Sequence, residues 1–263
     1  MNLEDFISLT ENRRFAVFGT GFAAEMFYQG LAAHGCENNI DRFYVSREVK
    51  SAAFHGIPVS PLSAYSQDMP LLIAVAPSNA ADIEEFCENS VNIYPFLTEY
   101  LYGIPVSRKC LLRVSDILAK QPADEYWVAA RYAGIDGVMK NDDQLTDLYV
   151  RCISLHAERS TALRRLDRLR SLCAEISAHG FDNSNSPIAI DRSGRIIDGL
   201  HRIAAAVYFG AKSLYCDIYP KSELFDKILT DRNRLPEQTL IASGFNPSDI
   251  GKLKEYRTIL DRL

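Results

Sequence analysis

The strongest constraint on the fold lies in the second half of the chain, where apolar runs alternate with glycines. Between residues 164 and 179, apolar side chains recur at helical spacing, and Gly180 stands where such a helix would end. Pro187–Asp191 then predicts a short strand, a Ser-Gly pair predicts a turn, and Arg195–Ile197 predicts the returning strand of a hairpin. A helix followed by a hairpin indicates a small mixed α+β domain.

The segment Asp198-Gly199-Leu200-His201-Arg202 joins this hairpin to a second predicted helix, Ile203–Phe209. Gly210 ends that helix, and Tyr215–Tyr219 predicts a final strand. A glycine at a strand-to-helix corner brings together backbone N–H groups and the positive end of the helix. The segment therefore places its polar residues at a corner that attracts anions.

A phosphate is the ligand that such a corner is expected to bind. His201 adds a donor, and the planar fork of Arg202 fits phosphate oxygens in a bidentate manner. The alternative interpretation is structural: Asp198 caps the helix, Gly199 makes the turn, and His201 and Arg202 are solvated. Five such residues in one corner favour the anion site.

From about His156 to Tyr219, the order of elements with its Asp-Gly-x-His-Arg corner resembles the ParB/sulfiredoxin superfamily. Sulfiredoxins carry a reactive cysteine where this chain has Leu200, so sulfinic acid repair is excluded. Chromosome-partitioning members carry Gly-Glu-Arg-Arg, bind a cytidine nucleotide and continue into a DNA-binding domain. Here His201 replaces one of those arginines, which argues against a DNA-binding function.

A third group in that superfamily has Asp-Gly-His-His-Arg-like corners and phosphorylates small molecules such as free serine. This resemblance implies that Gly199, His201 and Arg202 hold the phosphates of ATP or another nucleotide with Mg²⁺. It also implies catalytic roles for Asp198, which would orient substrate or metal, and for His201. Members with this corner also occur beside surface-polysaccharide genes, which implies a sugar or amino acid as the acceptor.

Kinases of that group use a glutamate before the first helix as the base, and Glu158 is the candidate here. Arg159 beside it is a candidate for the same phosphate. The alternative for Glu158 is a carboxylate that favours the positive end of a helix. No pair of histidines has ligand spacing, so we expect no resident metal.

The first half of the chain predicts a second domain. The sequence predicts a buried strand at Phe15–Phe18, a turn at Gly19-Thr20-Gly21 and a helix from there up to Ala33. Further strands are predicted at Ile40–Val45 and Leu71–Ala76. An exposed connection is predicted between them, at Gly56-Ile57-Pro58-Val59.

Two interpretations of the glycine turn stay open. Gly19 and Gly21 form a second nucleotide site, or they only pack helix against strand. A dinucleotide site needs an acid at the end of the second strand, and Asp41 comes too early in it. Residues 13–100 resemble the small Rossmann-like domains of sugar-modifying acyltransferases and some capsule-biosynthesis proteins, which implies a nucleotide, a nucleotide-sugar or no ligand.

Composition excludes several other classes of protein. The charge of −5 argues against a general binder of nucleic-acid backbones. No apolar run approaches the roughly 18–20 residues that span a bilayer, and no signal peptide is evident. The six cysteines are scattered without a C-x-x-C pair, which is typical of a reduced, cytoplasmic protein.

The sequence thus predicts an α/β protein with a small Rossmann-like parallel-sheet domain (residues 1–103), a connecting helical region (104–145) and a ParB/sulfiredoxin-like α+β domain (146–263). A helix start at Phe245–Ile250 opens a C-terminal helix that covers the core or, alternatively, makes a homodimer contact. The predicted function is a nucleotide-dependent kinase of a small hydroxyl compound. The alternatives are a non-catalytic nucleotide-binding module that recruits a partner or DNA, and an NAD(P)-dependent oxidoreductase.

Overall fold

The computed structural model describes residues 3–46, 49, 51–75, 83, 90–220 and 235–262. The chain divides into two compact units: the first contains the described residues up to Ile104, and the second contains those from Pro105 onward. Each unit has a sheet of its own and helices that belong to it. The expected α/β class is confirmed.

The first unit is built around a six-stranded sheet. Its strands are β1 (Phe15–Phe18), β2 (Ile40–Val45), β3 (Ala53–Phe54), β4 (Ile57–Pro61), β5 (Leu71–Ile73) and β6 (Ser90–Asn92). They lie in the order β3-β4-β2-β1-β5-β6, and every neighbouring pair is parallel except the β3–β4 hairpin. The described α-helices of this unit are α1 (Leu3–Asn12), α2 (Phe22–Ala33) and α3 (Tyr94–Tyr102).

The inner strands of this sheet are apolar on both faces. Every residue of β1 and β5 is buried, as continuous apolar runs predict for parallel strands that are covered on two sides. Strand β2 begins and ends at its predicted residues, whereas the run from Leu71 forms a strand only to Ile73. The sheet of this unit therefore follows from the apolar pattern.

The segment Gly56–Val59 is not the exposed connection that the sequence predicts, because most of it belongs to β4. His55 and Gly56 have φ values of 50° and 79° and form the two-residue turn of the β3–β4 hairpin. Pro58 lies opposite Ala53, near the edge of the sheet, where a strand tolerates the missing N–H of proline. A proline at such a place hides a strand from a pattern-based prediction.

The second unit contains a four-stranded sheet. Its strands are β7 (Ser107–Arg113), β8 (Ile188–Asp191), β9 (Ile196–Asp198) and β10 (Ser213–Tyr219), in the order β7-β10-β8-β9. Strands β8 and β10 are parallel, and the other two pairs are antiparallel. The described α-helices are α4 (Val114–Leu118), α5 (Trp127–Lys140), α6 (Asp143–Ser154), α7 (Arg159–His179), α8 (Leu200–Tyr208), α9 (Glu237–Ala242) and α10 (Pro247–Asp261).

Polar side chains define where two helices of this unit begin. The carboxylate of Asp142 accepts hydrogen bonds from N–H groups in the first turn of α6. Asn246 and Asp249 form a capping box at the start of α10, where the sequence predicts a helix start. Most of the apolar stripe of α10 is buried in the core of its own unit, through Ile250, Leu253, Tyr256 and Leu260.

The segment 104–145, predicted to be a connecting helical region, lies within the second unit from Pro105 onward. Strand β7 pairs with β10, and α5 supplies core residues of the second unit, among them Trp127. Helix α5 is buried on several faces, so it lacks the amphipathic period by which a pattern identifies a helix. Among the described helices of both units, none is long and apolar enough to cross a membrane.

Candidate functional site

The predicted corner lies where β9 ends and α8 begins. Asp198 is the last residue of β9, and Gly199 precedes the first residue of the helix, Leu200. The backbone of Gly199 has a φ of 108°, and a Cβ atom there would lie 2.4 Å from Cγ2 of Ile188. Both conformation and close packing therefore require glycine at this position.

The positive end of α8 is open. The N–H of Ile203 is the first to donate within the helix, to the carbonyl of Gly199 at 3.0 Å. The N–H groups of Leu200, His201 and Arg202 consequently have no acceptor in the helix. Gly199 provides no side-chain cap. These groups are available to an anion.

His201 lies in the first turn of α8 and is mostly buried. Its Nε2 atom is 2.8 Å from the hydroxyl of Tyr149, and the two rings meet edge to face. Burial, followed by the positive charges of Arg131, Arg165 and Arg202, holds the pKa of His201 well below its usual value. The imidazole is therefore neutral at neutral pH, and its Nδ1 atom has no hydrogen-bond partner among the described residues.

Arg202 is occupied by contacts that brace the corner. Its Nη2 atom is 2.9 Å from the carboxylate of Asp198, and its Nη1 atom donates to the hydroxyl and carbonyl of Ser186 and to the carbonyl of Pro187. These contacts join the end of β9 to the loop before β8. Arg202 thus positions the corner and adds charge to it, while few of its donors remain for a phosphate.

Arg131 is a buried arginine that the sequence analysis did not single out. The residue is only 7% exposed. Its guanidinium lies 4.7 Å from the centre of the Trp127 ring, and its Nη1 atom donates a hydrogen bond to the Trp127 carbonyl at 3.0 Å. The Nε atom is buried without a hydrogen-bond partner. Burial lowers the pKa of Arg131 to about 10, so it remains charged at neutral pH.

Tyr149 connects Arg131 with a second arginine, Arg165. A Cβ atom on Gly134 would lie 2.7 Å from Cγ of Tyr149 and 3.0 Å from Cδ2 of Leu169, so both side chains lie on the α5 backbone at that point. Residues three or four apart share a helix face. Arg131 shares one with Gly134, and Arg165 shares one with Leu169. The two arginines therefore lie on faces of α5 and α7 that meet at Tyr149.

Glu158 and Arg159 lie at the beginning of α7. Glu158 immediately precedes the helix and is exposed, and its carbonyl accepts the N–H groups of Thr161 and Ala162. Arg159 pairs with Asp147 of α6 at 3.5 Å. Since a helix rises about 1.5 Å per residue, Glu158 is about 10 Å along the helix from Arg165. The structure thus places these two predicted site residues about two turns of α7 before Arg165.

The glycines of the first unit have different surroundings. A Cβ atom on Gly19 would lie 2.8 Å from the carbonyl oxygen of Ala74, and its φ is 109°, so packing and backbone conformation both require glycine there. A Cβ atom on Gly21 would meet nothing within 4 Å. Glu25, in the first turn of α2, bonds to His55 at 2.9 Å and Gln29 at 3.0 Å. Gly21 therefore leaves space at the start of α2, beside a carboxylate.

Metal ligands and known relatives give no further assignment. In the part of the chain that the structure describes, no three His, Cys, Asp or Glu side chains are grouped so that they could hold a metal ion. Compared with models of protein families, with curated proteins and with solved structures, the chain matches none of them. The site is therefore interpreted from its own geometry and charge.

Proposed function

We propose that this protein is a nucleotide-dependent phosphotransferase that acts on the hydroxyl group of a small molecule at the Asp198–Arg202 corner. The observation that carries the proposal is the excess of positive charge at the open end of α8. Arg131 and Arg165 lie on helix faces that meet beside His201, and the described residues give neither an ion pair with a carboxylate. Asp198 is already neutralised by Arg202.

Phosphoryl transfer suits such a site because it depends mainly on positioning and on charge stabilisation. The three free N–H groups of α8 and neutral His201 would hold phosphate oxygens of the nucleotide. The acceptor oxygen forms a bond to the terminal phosphorus, and the bond from that phosphorus to the bridging oxygen of the nucleotide breaks. The hydroxyl proton passes to a carboxylate. The resemblance implies Glu158 for this role, although Glu158 lies about 10 Å along α7 from Arg165.

The resemblance to small-molecule kinases of the ParB/sulfiredoxin superfamily supports the same proposal. It rests on Asp198, Gly199, His201 and Arg202, with Leu200 as the departure. Mg²⁺ would arrive with the nucleotide and neutralise its phosphates. The acceptor implied by that resemblance is a sugar or an amino acid linked to surface-polysaccharide synthesis.

A non-catalytic nucleotide-binding module is the second candidate. The observation that favours it is the pairing of Asp198 with Arg202, which engages the carboxylate that the resemblance assigns to orienting substrate or metal. In such a module, nucleotide binding would act as a switch for a partner. Glu158 separates the two candidates, because only the phosphotransferase needs a base.

An oxidoreductase that uses the first unit is a third candidate. The strand order β4-β2-β1-β5-β6 is that of a doubly wound sheet, which supports a Rossmann-like domain. Gly21 leaves room for a ligand at the start of α2. However, Asp41 pairs with Arg14 at 2.7 Å near the beginning of β2, far from the end at which a ribose is held.

Thermal unfolding in the presence of ligands tests the location of the site. We would compare ATP, ADP, CTP, NAD⁺ and NADP⁺, each with Mg²⁺, on the wild type, His201→Leu and a control, His179→Leu, at an exposed histidine at the end of α7. A nucleotide at 100 times its Kd stabilises the folded state by about 2.7 kcal/mol. We expect ATP, ADP or CTP to stabilise the wild type and the control but not His201→Leu.

Stabilisation by NAD⁺ or NADP⁺ alone, unchanged in His201→Leu, would contradict the proposal and favour a ligand site in the first unit.

A second experiment measures phosphoryl transfer to serine and simple sugars by ³¹P NMR. We expect Glu158→Gln to slow transfer about 10²–10⁴-fold without changing nucleotide binding. Nucleotide binding without transfer to any acceptor would favour the non-catalytic module.

A further inference from the structure

We propose that Arg131, with Arg165, binds an anionic group of the acceptor, so that the acceptor is an acidic hydroxyl compound that carries a carboxylate or a phosphate. The inference rests on the proposed function, because it assigns the second substrate of the same site. It uses residues of α5 and α7 that lie outside the corner. Its first basis is the state of the Arg131 guanidinium.

The Arg131 guanidinium is buried and charged, and no carboxylate of the described residues lies within 4 Å of it to form an ion pair; the charge of Glu125 acts on it only from further away. Glu125, six residues before Arg131, accepts hydrogen bonds from the N–H groups of Trp127 and Leu235. Asp136, five residues after Arg131, pairs with Lys140 instead. An unpaired buried charge is unfavourable, so proteins normally pair it or use it to bind a ligand. An anion from solution would remove this penalty.

The free atoms of Arg131 have the geometry for such a ligand. Nη1 is engaged by the carbonyl of Trp127, whereas Nε is buried without a partner and Nη2 has no acceptor among the described residues. Nε and Nη2 form the edge of a guanidinium that donates two parallel hydrogen bonds. Carboxylate and phosphate groups accept this pair of bonds in a bidentate manner.

The place of Arg131 in the unit connects it with the corner. Tyr149 lies on the α5 backbone one turn after Arg131 and contacts His201 at 2.8 Å. Arg165 lies on the face of α7 that meets the same tyrosine. The charges of both arginines lower the pKa of His201, so they act on the same environment. An anion on Arg131 would therefore be a neighbour of the corner's phosphate site.

The burial of Arg131 favours the acceptor rather than the nucleotide as its ligand. The guanidinium is covered on one face by the Trp127 ring, and the residue is 7% exposed. A ligand group at such a position must be small, whereas a nucleotide's phosphates are linked to a bulky nucleoside. The open N–H groups of α8 remain the better place for those phosphates.

Trp127 offers a direct reporter of occupancy. It is the only tryptophan of the chain, and the Arg131 guanidinium lies 4.7 Å from the centre of its ring. An anion that binds the guanidinium changes the electric field at the indole. Tryptophan fluorescence therefore responds to this site without any need for turnover.

The test is a fluorescence titration with three matched probes: glycerol, glycerate and glycerol 3-phosphate. Each is added with and without Mg²⁺-ADP to the wild type, to Arg131→Gln and to the control Arg170→Gln, an exposed arginine paired with Asp167 on α7. We expect a saturable response to glycerate, glycerol 3-phosphate or both, and none to glycerol. Arg131→Gln should raise the half-saturating concentration at least about tenfold, and Arg170→Gln should leave it unchanged.

Thermal stabilisation by ADP is measured in parallel on the same proteins. Stabilisation that persists in Arg131→Gln while the anion response is lost supports an acceptor subsite. Equal responses to glycerol and the anions, or wild-type affinity in Arg131→Gln, would overturn it, and so would loss of ADP binding in that variant. An anion response without any stabilisation by ADP would support the anion site and refute the proposed function.

Arg131→Lys keeps the test decisive if Arg131→Gln does not fold. Lysine retains the positive charge but cannot donate two parallel hydrogen bonds from one planar group. We expect its affinity for the anion to fall between those of the wild type and Arg131→Gln. Wild-type affinity in Arg131→Lys would overturn the bidentate contact.

Discussion

Replacement of Gly199 by alanine tests the corner most directly, because the structure assigns two separate costs to the added methyl group. The first is the backbone conformation, since φ is 108° and L-residues pay about 1–2 kcal/mol in the left-handed region. The second is the contact with Ile188, whose Cγ2 and Cβ atoms would lie 2.4 and 2.7 Å from the new Cβ. Overpacking of this kind costs about 1–3 kcal/mol.

The expected loss of unfolding free energy for Gly199→Ala is therefore about 2–5 kcal/mol. Gly210, at the other end of α8, is the matched control: its φ is 75°, but a Cβ atom there meets nothing within 4 Å. Gly210→Ala should cost only the backbone part, about 1–2 kcal/mol. The difference between the two variants isolates the contact with Ile188.

Urea unfolding followed by the fluorescence of Trp127 measures both variants, because this buried residue lies in the core of the same unit. A third variant, Ile188→Ala, makes room for the new methyl group. In the double variant Gly199→Ala/Ile188→Ala, the cost should be about 1–3 kcal/mol smaller than the sum of the single costs. Equal costs for Gly199→Ala and Gly210→Ala, or strict additivity in the double variant, would refute this account of the corner.

Three further predictions concern the side chains around the corner, all measured by the same urea unfolding. Because the pKa of His201 is lowered in the fold, the unfolded chain takes up a proton that the folded chain does not. Stability should therefore fall as pH drops below about 6.5, by up to about 1.4 kcal/mol per pH unit, and an equal pH slope in His201→Gln would contradict this. Tyr149→Phe removes the hydrogen bond to Nε2 and should cost about 0.5–1.5 kcal/mol; no loss would mean that the bond contributes nothing. Arg202→Lys cannot bridge Asp198 and the Pro187 carbonyl together and should cost about 1–3 kcal/mol, whereas wild-type stability would show that the brace is dispensable.

The residues of the corner could be predicted because their arrangement is local. A strand, a glycine and a helix that follow one another in the chain bring Asp198, Gly199 and His201 to one place. Strand β8 begins within one residue of its prediction for the same reason. Helix α7 begins at Arg159, before the predicted start at Arg164. The prediction began too late because the first turn of the helix lacks the apolar spacing that identifies the rest.

The grouping of Arg131 and Arg165 around Tyr149 could not be predicted in the same way, because these residues come from separate helices. Tyr149 and His201 are 52 residues apart in the chain and meet only through tertiary packing. Arg131 nevertheless left a signal: it stands one turn after Trp127 in an otherwise apolar stretch of α5. A charged residue in such a stretch is seldom buried without a partner or a ligand.

The role of Arg202 could not be predicted from its motif alone, because it depends on which acceptors surround the side chain in the fold. Its planar fork fits a phosphate, and the sequence offers no reason to assign it elsewhere. In the fold, Asp198, Ser186 and Pro187 compete for the same donors and take them. The bidentate arginine is better sought at Arg131, whose free edge has no protein acceptor among the described residues.

The acidic composition of the chain is compatible with this anion site, because binding depends on local rather than total charge. The net charge of −5 argues against a general binder of nucleic-acid backbones. At ionic strengths near 0.15 M, charges further than about 8 Å apart at the surface are largely screened. Buried charges are screened much less, so Arg131 acts on a ligand at short range with little opposition from distant carboxylates. The proposed acceptor subsite would therefore select a small anion by its depth rather than by the net charge of the chain.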